Sequence, residues 1–132
     1  MKSKLLLTLA SALIAATTAY AEQMKADIPF EFSVGQTVLP AGRYTFDTDL
    51  SRDLLRVRSE DSRRTVLILT NSAATYQNQE QAMVVFHRYE ATYFLSQVRP
   101  PGNHGQNLRR TSRETKLALS APGKNETLLA LK

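Results

Sequence analysis

The segment from Ile28 to Phe46, IPFEFSVGQTVLPAGRYTF, sets the tightest limit on what this chain can fold into. Ile28, Phe30, Phe32 and Val34 alternate with Pro29, Glu31 and Ser33. Large apolar residues at period two describe a strand with one buried face, and they do not fit the 3.6-residue period of a helix. Pro29 has no N–H to give a ladder and belongs at a strand start or on an edge. Gly35 marks a turn, and Leu39-Pro40-Ala41-Gly42 reads as a second one, with Pro40 fixing φ and Gly42 closing it. Alternation then resumes with Tyr44 and Phe46. Two strands and their turns account for the segment better than a ligand loop does.

The same grammar runs on. A polar turn at 49–53 leads into a strand from Leu54 to Arg58, with Leu55 and Val57 inward. The segment from Arg63 to Thr70 is apolar on both faces at its centre, which predicts a central strand covered on one face by a helix. Residues 71–81 are polar and aperiodic and read as a long loop. Met83–Tyr89 and Thr92–Val98 are rich in β-branched and aromatic residues and are joined at Glu90-Ala91, the pattern of a tight hairpin. Such a two-residue turn sets Arg88 opposite Tyr93 and His87 opposite Phe94. Residues 99–107 hold two prolines and two glycines and read as a loop. Thr111 and Glu114 have the spacing of a capping box, and Pro122-Gly123 ends the helix that follows over 112–120, with Leu117 facing the sheet. The tail after about 121 reads equally as a closing strand or as loose chain. At least six short strands and one short C-terminal helix predict a mainly β domain, a small antiparallel barrel or sandwich.

The amino end is an address. Lys2 and Lys4, the apolar run from Leu5 to Ala16, and Ala19-Tyr20-Ala21 are the three parts of a secretory signal peptide, residues 1–21. The apolar run is shorter than the roughly 20 residues of a spanning helix. Cleavage between Ala21 and Glu22 leaves a single β-rich domain, 22–132, in the periplasm or outside the cell, with no transmembrane segment. The chain has no cysteine, which excludes a lipid-bearing N-terminal Cys, thiolate zinc sites and thiolate catalysis.

Three stretches together carry a resemblance: the opening IPFEFSVGQTVLPAGRYTF, then VVFHRYEATYFLSQV, then the SRET helix start. The chain resembles a group of short exported bacterial β-proteins of uncharacterised function that share PFxFxVGxxxLPAGxY and an FHRYxxxYFLS hairpin. The resemblance covers most of residues 27–119. It implies an exported, mostly β domain and carries over no activity.

The chemistry-bearing residues are sparse. His87 in a strand and His104 in a glycine-flanked loop lack metal-ligand spacing, so no metal and no cofactor are expected. No G-x-S-x-G or comparable signal accompanies the serines, and no catalytic residue is assigned. The hairpin residues His87, Arg88, Tyr89 and Tyr93 are the candidate ligand contacts, because a guanidinium beside aromatic rings recognises planar or anionic groups. Arg109, Arg110, Arg113 and Lys116 form a basic segment suited to anionic envelope polymers, and with no base-stacking module nucleic acid is not expected. These readings favour a non-enzymatic envelope-associated domain whose partner is an envelope component or a protein. The alternative is a hydrolase-type enzyme with a cleft near His87 and Arg88.

Overall fold

A computed structural model describes residues 24–72, 81–101, 105–120 and 125–130. The signal peptide, the 73–80 segment, His104 and the Pro122-Gly123 helix stop lie outside the described residues. The described chain forms ten strands and one helix. In order these are β1 (Met24–Ile28), β2 (Phe32–Val34), β3 (Thr37–Leu39), β4 (Gly42–Ser51), β5 (Leu54–Ser59), β6 (Thr65–Ser72), β7 (Met83–Tyr89), β8 (Thr92–Arg99), β9 (Gln106–Leu108), α1 (Ser112–Ser120) and β10 (Asn125–Ala130).

Strands β1, β4, β5 and β6 form one antiparallel layer. The second layer is built on β8. One edge of β8 pairs β7, which in turn pairs β10. Its other edge takes two strands end to end, β9 antiparallel at Gln97 and Val98, and β2 parallel at Tyr93 and Phe94. Strand β6 joins the layers, since it leaves β5 after Leu69 and pairs β9 from Thr70 to Ser72. The fold is therefore a mainly β sandwich of mixed pairing, not closed into a barrel. Its core is filled by the inward residues of both layers, among them Ile28, Phe32, Tyr44, Phe46, Leu55, Val57, Val84, Phe86 and Val98. No described helix is long and apolar enough to cross a membrane.

The opening segment is strands and turns, but it holds parts of four strands where two were expected, because the alternation from Ile28 to Val34 breaks at 29–31 as the chain changes layer. The glycine that matters is the earlier one. Gly35 and Gln36 form the turn between Val34 and Thr37, which pair across it, and Gly35 has φ +59°. That conformation is cheap only without a Cβ. Gly42 instead opens β4 with φ outside the left-handed region. The Tyr44 hydroxyl donates to the Pro40 carbonyl and ties the Pro-Ala bend to the core.

Two further expectations change, and one left open is decided. The helix does not cover β6: Leu67 and Leu69 point outward with 60% and 76% of their surface exposed. Of the apolar residues of this strand, Val66 and Ile68 pack against the core. The apolar run is two-sided because its outer face is displayed. Residues 125–130 of the tail form a strand, since β10 pairs β7 along Met83–Arg88, and Gln106–Leu108, where the expected 99–107 loop ends, form β9.

Candidate functional site

Strand β7 presents two faces. Val84 and Phe86 enter the core, while Val85, His87 and Tyr89 face the other way and are also buried. The side chain of Glu114 on α1 reaches His87 and Tyr89 on that outer face, and the Arg113 guanidinium lies 5.7 Å from the centre of the Phe94 ring. The hairpin turn falls at Glu90-Ala91 as its sequence implies, with Arg88 opposite Tyr93 and His87 opposite Phe94. A bulge then shifts the register between Val85 and Phe86. Leu95 pairs Phe86 and Gln97 pairs Val85, so Ser96 is the extra residue. The bulge keeps both Leu95 and Val98 in the core although they are three residues apart, and it leaves Ser96 on the histidine's side.

The result is a polar chain under the helix. Nδ1 of His87 lies 3.0 Å from Oε1 of Glu114, and Nε2 lies 2.9 Å from Oγ of Ser96. The Tyr89 hydroxyl donates to the same Glu114 oxygen at 3.3 Å. A ring with its proton on Nδ1 donates to Glu114 and accepts from Ser96 through Nε2. His87 is 9% exposed and Glu114 5%. Burial raises the Tyr89 phenol above its ordinary value, and the adjacent Glu114 charge pushes it further the same way. Glu126, opposite His87 on β10, brings a carboxylate to 3.8 Å from Nε2.

Chemically this order of groups, hydroxyl to imidazole to carboxylate, can draw a proton from a serine. It also serves as a latch. The Thr111 hydroxyl accepts from the Glu114 N–H at 3.2 Å, fixing the helix start. The Glu114 carboxylate, however, turns to the sheet and ties α1 to β7. The spacing of Thr111 and Glu114 thus marks the helix start and says nothing of where the acid goes.

The four hairpin candidates divide between two faces. His87 and Tyr89 join the network beneath the helix. Arg88 lies on the other side, its guanidinium 5.6 Å from the centre of the Tyr93 ring and its Nε–H donating to the Glu90 carbonyl. Tyr93 stacks on Phe30 at 3.7 Å, and Phe30 meets Phe86 edge-on. A cleft of about 100 Å³ beside this stack is bordered by Phe30, Glu31, Thr92, Tyr93 and Arg113. Of the basic segment, Arg109 and Arg110 follow β9 while Arg113 and Lys116 lie on α1, and all four are exposed. Among the described residues no three His, Asp or Glu side chains stand together as a metal site.

Sequence reasoning missed Ser96 and Glu114. The available signal was His87 itself. In Val85-His87-Tyr89 it occupies a face that is otherwise apolar or aromatic, and a buried imidazole needs partners on both nitrogens.

Comparison with protein-family models, with characterised proteins and with solved structures finds no match to this chain.

Proposed function

We propose that the chain is an exported, non-enzymatic β-domain, secreted or periplasmic, that binds an envelope component or another protein. Its leader pattern and its resemblance to short exported β-proteins support the location. The observation that carries binding is the surface of β6, where Leu67 and Leu69 are 60% and 76% exposed. Arg58, Arg63 and Arg64, also exposed, lie nearby in sequence or across the ladder. An apolar strand displayed among cations is a contact surface, since solvation alone gives no reason for it. The test is retention of an envelope fraction by immobilised protein spanning 22–132. A Leu67→Ser, Leu69→Ser variant is expected to retain several-fold less at unchanged melting temperature. Equal retention would overturn the assignment of this face.

A hydrolase is the second reading, favoured by the alignment of Ser96, His87 and Glu114. It ranks lower because the histidine and carboxylate are buried. In addition, a cavity of about 440 Å³ is lined by other residues, including Asp49, Arg52 and Gln106. A fluorophosphonate probe decides. Labelling at Ser96 that vanishes in His87→Ala would establish the enzyme, and an unlabelled Ser96 would remove it.

A further inference from the structure

We propose that the open edge of β6 is a strand-pairing site for an extended segment of a partner polypeptide, apolar at its centre and acidic at both ends. The proposal rests on the binding-domain reading and specifies its partner.

Strand β6 pairs β5 from Thr65 to Leu69, but on its other side it meets β9 only from Thr70 to Ser72. Thr65–Leu69 therefore has no strand on that second edge among the described residues. The backbone directions follow from two bonds. The Arg64 carbonyl accepts from Ser59 N–H, and Thr70 N–H donates to the Asp53 carbonyl, each at 2.8 Å and each on the β5 side. Directions alternate along a strand, so Thr65, Leu67 and Leu69 turn their N–H and C=O groups to the open side. An unpaired row of this kind is a template for another strand.

The surroundings select what would pair. Leu67, Leu69 and Leu54, the cross-strand partner of Leu69, offer apolar surface on the outer face. A wide groove of about 610 Å³ runs beside the edge, between Thr37 of β3 and the stretch Arg64–Leu67. Strand β3 ends the strand path, so the groove lies between two strands that do not pair with each other. Arg63 and Arg64 stand at the entry of the open edge. Arg109 stands at its far end, because it directly follows Leu108, the partner of Thr70. All three are exposed, and none makes an ion pair among the described residues. Five strand residues span about 17 Å, so acids at the two ends of a heptapeptide reach both cationic ends.

A second copy fits worse. Antiparallel self-pairing centred on Leu67 would lay Arg63 and Arg64 of one molecule against the other's β9 exit at Arg109. Like charges at both ends oppose that pairing.

The probe is the capped heptapeptide Glu-Val-Thr-Val-Thr-Val-Glu, compared with its Lys-ended counterpart by fluorescence anisotropy and amide hydrogen exchange. The acidic peptide is expected to bind at least fivefold more tightly, with the difference shrinking as salt rises. It should slow exchange at Leu67 and Leu69, and Arg63→Glu with Arg64→Glu should reverse the preference. Unchanged exchange at these amides overturns the proposal, as does protection that appears without peptide and grows with protein concentration, which would make a second copy the occupant. If the edge stays unprotected while the protein still retains an envelope fraction, this inference falls and the binding reading stands. If retention fails too, both fall.

Discussion

Glu114 on the first turn of α1 and His87 on β7 meet at 3.0 Å with both side chains buried. The pair is the main polar tie between helix and sheet, and Tyr89 adds a second bond to the same carboxylate oxygen. Removing one member leaves the others buried and underbonded, which costs more than the net worth of a bond.

Glu114→Ala is therefore expected to lower stability by about 2–3 kcal/mol in urea denaturation. His87→Ala should cost a similar amount. In a double-mutant cycle the two changes should fall short of additive by about 1 kcal/mol or more. Full additivity would mean that the contact contributes nothing.

Stability should decline at alkaline pH, and the sign follows from Tyr89 and Tyr44. Burial raises both phenols above the ordinary value near 10, with Glu114 adding to the effect on Tyr89. Below pH about 10 both are protonated whether the chain is folded or unfolded, and their stabilising effect is complete. As pH rises through the higher folded values, the unfolded chain has already lost those protons and is favoured. The urea midpoint should fall above pH about 10, and Tyr44→Phe with Tyr89→Phe should flatten that fall.

Gly35→Ala is expected to cost about 1–2 kcal/mol in thermal melts. The added Cβ would sit in a left-handed conformation and 2.7 Å from Cδ1 of Ile68. Gly42→Ala should cost less, since its φ is ordinary and its nearest neighbour is a carboxylate oxygen of Asp61 at 3.0 Å.

Thr45→Val should raise stability by about 1 kcal/mol. Thr45 is 3% exposed in β4, and its hydroxyl has no hydrogen-bond partner among the described residues. A melting temperature at or below the parent's would show that the hydroxyl is satisfied.

The period-two residues made the strands legible. Leu55 with Val57 and the Glu90-Ala91 turn encode their structure locally, whereas the alternation from Ile28 to Val34 is not one strand: it breaks at 29–31, where the chain passes from β1 in one layer to β2 in the other. What escaped depends on distant chain. Whether the outer face of Leu67 and Leu69 is covered is decided by where the helix lands, and nothing in Arg63–Thr70 encodes that. Ser96 was obscured because the bulge arises from the need to return Val98 to the core, a demand of packing across the layers. Glu114 was legible as a helix start and not as a buried partner, because His87 lies 27 residues earlier.

The parallel seat of β2 on β8, Phe32 beside Tyr93, has a consequence for the order of folding. Hairpins such as β7–β8 close over a few residues, in microseconds, whereas this pairing must wait for a long loop to close. A chain made from its amino end forward therefore carries the β2–β3 hairpin, with one edge of β2 uncovered, until β8 exists to receive it. Such uncovered strands are the ones that aggregate.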